Sequence, residues 1–313
     1  MRVLVTGAAG YVGATLVDAL RVRPELDGRH VEALALADRS LKPRAGETTI
    51  AGDLGEAGVL QQVADFSPDA VFHLAAVPGG ASEADYALGR RVNLDTTLAL
   101  FETLAASGKR PVVVYASSIA VYGTQLPDVV TPMTPLRPPL TYGAHKQSCE
   151  ILLADFSRRG LLDGRSVRLP GIVARPSSGA GLTSAFMSDI LHALRRGDAF
   201  TCPVGPEATA WWMSVRRCAD NLLHAAEMDV SSADPARAWP LPVLRLSMRE
   251  VIDTCAALWG DDRRALVQFR PNPDVEAVFG RYPRLDDSAS RALGLRDDGS
   301  AEALVRRALD EIQ

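Results

Sequence analysis

The chain has 313 residues, 47% hydrophobic and 23% charged, so it can bury a sizeable core and does not read as disordered. A formal net charge of -4 gives no positive field for nucleic acid or an anionic membrane, which argues against both partners. No stretch approaches the roughly 18 apolar residues of a bilayer span, and Cys149, Cys202, Cys218 and Cys255 are too scattered for a zinc site.

Arg2 to Thr6 is the first predicted strand, and no basic leader or cleavable apolar stretch precedes it, so a cytoplasmic location is expected. Gly7, Gly10 and Gly13 follow and open a helix over Tyr11 to Arg21. Three glycines between a strand and a helix suit a dinucleotide: one for the tight turn, one where backbone meets pyrophosphate, one for close helix packing. Free helix N–H groups attract the phosphate charge. The spacing is G-x-x-G-x-x-G, one residue longer in the turn than the general fingerprint. Ala9, Tyr11 and Val12 fall in the same turn and join the candidate cofactor contacts.

The second strand, Val31 to Ala37, delivers Asp38, whose carboxylate can accept hydrogen bonds from both hydroxyls of an adenosine ribose. A 2'-phosphate there would meet like charge, which favours NAD over NADP. Arg39 has two readings, a partner for phosphate or adenine and a solvated loop arginine. After the third strand, Thr49 to Ala51, Asp53 can hydrogen-bond adenine and Leu54 can pack on its face. A helix over Val59 to Ala64 leads to the fourth strand, Ala70 to Leu74, after which Leu74, Ala75 and Ala76 leave room for the cofactor backbone. These positions all lie at strand C-termini, where open parallel sheets bind ligands.

A helix over Arg91 to Ser107, stopped by Gly108, leads to the fifth strand, Val112 to Ser117. Ser118, with Ser117 as the alternative, can hydrogen-bond a substrate hydroxyl there and the carbonyl formed from it. In the next helix, Tyr142 to Arg159, Tyr142 and Lys146 stand at i and i+4 on one face. An ammonium beside a phenol stabilises phenolate and makes tyrosine usable as a base, while Lys146 can also hold a nicotinamide ribose. His145 is off that face and reads as structural or solvent-facing. The sixth strand, Ser166 to Leu169, ends at Pro170, another candidate cofactor contact.

Beyond Pro170 the alternation of strand and helix fails. A Gly/Ser/Pro segment from Ala174 to Leu182 precedes a helix near Ser184 to Arg196, and Pro and Arg density rises through Arg237 to Arg245. The expected architecture is an α/β Rossmann fold, a doubly wound parallel sheet with helices on both faces, over residues 1–170. Residues 171–313 form a smaller, partly irregular substrate-binding region with segments returning to the core. In that region Gly171 and Arg175 are candidate substrate contacts. One guanidinium suffices for a carboxylate, although Arg175 also reads as a surface arginine. Trp211 and Trp212 have two readings, walls of a small polyol pocket and core or oligomer contacts.

TGAAGYVG, Asp53, HLAA, YASSIAVYG and YGAHK, in this order, resemble the extended short-chain dehydrogenase/reductases, a superfamily that includes nucleotide-sugar epimerases and dehydratases. The likeness runs on to DDSASRALGL and the final helix. It implies NAD as cofactor, a homodimer, and Asn93 on the active-site side of its helix, supporting a proton-relay water and adjoining the cofactor. A packed helix asparagine is the other reading of Asn93. RRVNLD, GTQLPDVV, DFSRRGLLDG and Arg168-Leu169-Pro170 are similar to the D-erythronate dehydrogenase group, which implies oxidation of the C2 hydroxyl of a four-carbon sugar acid. Departures at Gly171, at Ser177 to Gly181 and at Ala193 to Gly197 all fall in the substrate half, so the substrate can differ while the chemistry does not.

The expected activity is therefore NAD-dependent oxidation of a secondary hydroxyl in a small sugar acid, catalysed by Ser118, Tyr142, Lys146 and Asn93, with no metal. A nucleotide-sugar epimerase or dehydratase is the first alternative. It is weakened because Thr209-Ala210-Trp211-Trp212 carries no basic residue for a diphosphate, although Arg216, Arg217 or Arg270 could approach from elsewhere. A non-catalytic dinucleotide-binding redox sensor is the second, and it would be expected to lack the tyrosine or the lysine.

Overall fold

The computed structural model describes residues 1–176 and 184–309. It contains two compact units, the first made of Met1–Val121, Leu136–Leu169 and Ala219–Pro240, the second of Tyr122–Pro135, Pro170–Cys218 and Leu241–Gln313.

In the first unit the chain alternates as the hydrophobic runs require. Its elements begin with β1 (Arg2–Thr6), α1 (Tyr11–Val22), β2 (Ala33–Asp38), β3 (Thr48–Ala51), α2 (Ala57–Phe66) and β4 (Ala70–His73). There follow α3 (Gly79–Ala84), α4 (Tyr86–Arg90), a π-helical turn (Arg91–Asp95), α5 (Thr96–Ala106), β5 (Val112–Ser118), α6 (Thr141–Arg158) and β6 (Asp163–Leu169). The later elements are β7 (Gly171–Val173), α7 (Phe186–Arg196), β8 (Thr209–Ser214), α8 (Val215–Glu227), β9 (Ala238–Pro240), β10 (Leu244–Ser247), α9 (Met248–Trp259) and α10 (Ala301–Ala308).

Seven strands form one parallel sheet in the order β9-β6-β5-β4-β1-β2-β3. The doubly wound Rossmann architecture is thus present. The strand order reverses between β1 and β4, which opens a crevice at their C-terminal ends. Leu4, Val71, Val113 and Tyr115 of the strands pack with Leu100, Phe101 and Leu104 of α5 and Leu153 of α6 in one buried cluster.

Two features depart from the sequence reading. The segment Arg237 to Arg245, read as irregular, contributes β9, whose Ala238 to Pro240 pair in parallel with Ser166 to Arg168. Pro240 is tolerated because β9 is at the sheet edge, where a missing N–H costs no ladder bond. The helix expected from Arg91 to Ser107 starts earlier, at Tyr86, and carries the π-helical turn at Arg91–Asp95. Such turns insert one residue and commonly mark functional sites.

In the second unit β7, β8 and β10 form a small mixed sheet, β7 parallel and β10 antiparallel to β8. Trp212, Met248, Ile190, Leu191, Leu194, Val251, Leu304 and Val305 make its apolar centre. A reciprocal capping box starts α9: Ser247 accepts from the Glu250 N–H while the Glu250 carboxylate accepts from the Ser247 N–H. Trp211 and Trp212 are both buried, and their ring N–H groups donate to the carbonyls of Pro283 (2.7 Å) and Leu246 (3.1 Å). They are core residues with satisfied donors, not pocket walls. Ser177 to Gly181 lies outside the described residues. No helix among the described residues is long and apolar enough to cross a membrane.

Candidate active site

The turn after β1 is made of backbone pressed on backbone. Gly7 has φ +68, and a Cβ there would lie 2.7 Å from the Ala75 nitrogen and 2.8 Å from the Leu74 carbonyl carbon. A Cβ on Gly13 would fall 2.1 Å from the Gly7 carbonyl oxygen. Neither position accepts a side chain, so the first turn of α1 is drawn tight against the strand end. Gly10 closes the turn by donating its N–H to the Gly7 carbonyl at 3.0 Å, and Gly10 and Ala9 stay exposed. Tyr11 and Val12 begin α1 and are half-buried.

The flanks of the turn are held by hydrogen bonds. Asp38 accepts from the Ala9 N–H (3.0 Å) with one carboxylate oxygen and from the Arg39 N–H (2.7 Å) with the other. This fixes the carboxylate at the end of β2 while the Arg39 residue remains exposed. Thr6 Oγ1 accepts from the Leu74 and Ala75 N–H groups (3.2 and 3.3 Å), tying the segment after β4 to β1. Ala76, one residue further on, is exposed. Asp53 accepts from the Gly55 N–H (3.0 Å) and from Arg91, and these two contacts, in that order, hold its carboxyl below the usual range. Leu54 is buried in the first unit's core cluster.

A buried polar ladder connects this turn to the π-helical segment. His73 is fully buried; its Nδ1 lies 2.7 Å from Thr6 Oγ1 and its Nε2 lies 2.9 Å from Thr97 Oγ1. Thr97 Oγ1 donates to the Asn93 carbonyl, which leaves it to accept from His73 Nε2–H. Burial, then the Lys146 charge, push the His73 pKa down to about 3, so the ring is neutral. The Asn93 amide is fully engaged. Its oxygen accepts from the Val77 N–H (2.7 Å) and its nitrogen donates to the Val77 carbonyl (3.0 Å) and to Ser82 Oγ (3.1 Å). Asn93 thereby fastens the segment from Val77 to Ser82, which leads into α3. Gly79, the first residue of α3, faces Tyr142, whose Cβ would be 3.7 Å from a Cβ placed on the glycine.

Tyr142 lies in the first turn of α6, half-buried, and Lys146 one turn later is fully buried. Lys146 Nζ donates to the Ala116 carbonyl of β5 at 2.6 Å and sits 4.6 Å from the Tyr115 ring centroid and 5.6 Å from that of Tyr142. Burial lowers its pKa to about 8, partly offset by Cys149 and Glu150, so the ammonium persists at neutral pH. Ser118 ends β5, half-exposed, its Oγ accepting from the Ala120 N–H at 3.1 Å. What brings the start of α6 to this strand end is Gly143, which the sequence reading passed over. A Cβ there would lie 2.5 Å from the Ala120 carbonyl oxygen and 2.8 Å from Pro138 Cβ. His145 is buried and its Nδ1 has no hydrogen-bond partner.

In the second unit Pro170 is buried and Gly171 opens β7, where a Cβ would meet Met187 Cε at 2.7 Å and the Trp211 carbonyl at 2.9 Å. Arg175 is pinned through its backbone: its N–H donates to Ser188 Oγ (3.0 Å) and its carbonyl accepts from His192 Nε2 (3.1 Å). The four cysteines are buried thiols, and the described residues contain no cluster of three or more metal-ligating side chains.

The reversing parallel sheet and the bare turn at its first strand define a dinucleotide-binding protein of the Rossmann class. The turn fits a dinucleotide, because close packing at Gly7 and Gly13 draws the start of α1 against the strand end and leaves Ala9 and Gly10 exposed there, where helix N–H groups can meet a pyrophosphate. The chain belongs to the NAD dependent epimerase/dehydratase family, whose model matches residues 3–236, and NAD is its cofactor. It is 38% identical to the D-erythronate dehydrogenase of Cupriavidus necator, over 99% of this chain and 98% of that protein. Its identity to the D-erythronate dehydrogenase of Haemophilus influenzae is 27%, over 99% of each. The crystal structure of a nucleoside-diphosphate-sugar epimerase from Agrobacterium tumefaciens is similar with a TM-score of 0.93 and 33% identity, covering 99% of this chain and 94% of that one.

Proposed function

We propose that the protein is an NAD-dependent dehydrogenase that oxidises the C2 hydroxyl of a small sugar acid, D-erythronate or a close analogue, to the 2-oxo acid. The observation that carries the chemistry is the buried Lys146 ammonium 5.6 Å from the Tyr142 ring on one helix face. An ammonium in that position favours the phenolate, so Tyr142 takes the hydroxyl proton. Ser118 orients the same hydroxyl and the carbonyl formed from it. NAD, when bound, accepts the hydride. Gly7, Ala9, Gly10, Tyr11, Val12 and Gly13 receive its pyrophosphate, Asp38 and Arg39 its adenosine ribose, Asp53 and Leu54 its adenine. Leu74, Ala75, Ala76, Asn93, Lys146 and Pro170 border the nicotinamide half. Arg175 and Gly171 bind the acid.

The kinship with two D-erythronate dehydrogenases over nearly the full chain supports the substrate class. The epimerase likeness at 33% identity favours a second reading, interconversion of a nucleotide sugar with the cofactor retained. One screen separates them: NADH absorbance with four- to six-carbon aldonic acids beside nucleotide sugars. The first reading expects net NADH from an aldonic acid, and loss of two to four powers of ten in turnover for Tyr142→Phe. NADH from no acid, with epimerised nucleotide sugar instead, would replace it by the second. The proposal includes a cytoplasmic homodimer, to which exposed Tyr86 of α4 and Ile151 of α6 lend support and which sedimentation velocity tests.

A further inference from the structure

The face of α6 that carries Tyr142 and Lys146 continues one turn further to Glu150, which is 4% exposed. Its carboxylate is gripped from two strands. Arg168 of β6 donates from Nε to one oxygen (2.9 Å) and from Nη2 to the other (2.7 Å), and Ser117 Oγ of β5 donates to the first. Ser117 and Arg168 are register partners across β5 and β6, so the carboxylate bridges a single cross-strand pair. The adjacent pair is Ala116 and Val167, and the Ala116 carbonyl holds Lys146. The helix is therefore fastened at two successive rungs, directly before the rung that carries Ser118.

A buried ion pair is a poor device for stability alone, because taking both charges from water carries a cost that apolar packing does not incur. It does specify geometry: a bidentate pair with a third hydrogen bond has one satisfied arrangement. We propose that Glu150 is a positioning residue that sets where α6 lies on the ends of β5 and β6, and so where Tyr142 and Lys146 stand relative to Ser118. This rests on the reading that those three groups carry the chemistry.

Glu150 also acts on Lys146 through charge. The groups facing the ammonium are neutral His73 from β4, Tyr115 from β5, and Tyr142, Cys149 and Glu150 from its own helix. Of these Glu150 is the carboxylate, and it raises the lysine pKa against the effect of burial. Removing it makes Lys146 lose its proton at lower pH.

The test pairs Glu150→Leu with Arg168→Met, which removes both charges and fills the space with apolar atoms, so that no buried cation is left unpaired. The folded double variant is expected to keep a near-wild-type melting temperature and a KM for NAD within about twofold, while kcat falls roughly 10- to 100-fold. The alkaline limb of kcat against pH should move down by roughly half a unit. Wild-type kcat and an unshifted limb, with Tyr142→Phe inactive, would overturn the positioning role and leave the proton-transfer reading intact. An active Tyr142→Phe would remove that reading and this inference with it. If the double variant does not fold, Glu150→Gln, which retains an acceptor for Ser117, is read on the same two quantities. It should show the same downward limb shift and a smaller kcat loss, and an unchanged limb overturns the proposal.

Discussion

The two units differ in how many polar groups they bury and in where those groups lie. In the first, Thr6, His73, Asn93, Thr97, Ser117, Lys146, Glu150 and Arg168 are all buried, and each is held by hydrogen bonds from elements far apart in sequence. In the second, Asp298 accepts from Ser214 and Arg307 in a smaller buried network, and the candidate substrate residues Gly171 and Arg175 border an apolar cluster that includes Trp, Met, Leu and Val through close packing and backbone contacts. Satisfied polar networks fix one arrangement, whereas apolar packing accepts volume-conserving change. Under the proposed function, such a division lets the proton-transfer groups stay fixed while the substrate residues vary.

Three measurements sharpen or break that contrast. The largest effect is expected in the second unit, where Trp212→Leu removes a fully buried ring and should cost about 3 kcal/mol in urea unfolding while leaving NAD affinity unchanged. A large loss of NAD affinity would show that the units do not divide the work. Next is Asp38→Ala, which removes the carboxylate bonded to Ala9 and should weaken NAD binding about tenfold, and NADP binding less. Equal losses would count against ribose recognition by Asp38. The smallest effect is the pH response of His73. Its folded pKa of about 3 lies below the ordinary 6.5, so between these values the unfolded chain binds a proton that the fold does not. Stability is fully present above pH 6.5 and is lost as pH falls, by about 1 kcal/mol from this group between pH 6.5 and 5.5. His73→Gln should flatten that slope, and an unchanged slope would mean that His73 already takes a proton in the fold.

Much of the first unit was legible because its signals are local. A β-branched run followed by spaced glycines reports a strand, a turn and a helix, and the i, i+4 spacing of Tyr142 and Lys146 reports a shared helix face. Gly143 was hidden because the need for a missing side chain depends on the Ala120 carbonyl, far away in sequence. The π-helical turn at Arg91–Asp95 was hidden because one inserted residue barely alters an apolar periodicity. β9 was hidden because Ala238-Trp239-Pro240 is short and proline-bearing, and becomes a strand only where β6 offers it an edge.

The sequence by itself determined the six strands from β1 to β6, the glycine turn and the types of reactive side chain, since each depends on neighbours a few residues away. Only the tertiary structure decided that Asn93 spends its amide on Val77 and Ser82, that Trp211 and Trp212 are core, and that Glu150 bridges Ser117 and Arg168. Those outcomes follow from burial, because a polar group removed from water must find its partner wherever the fold brings one within reach.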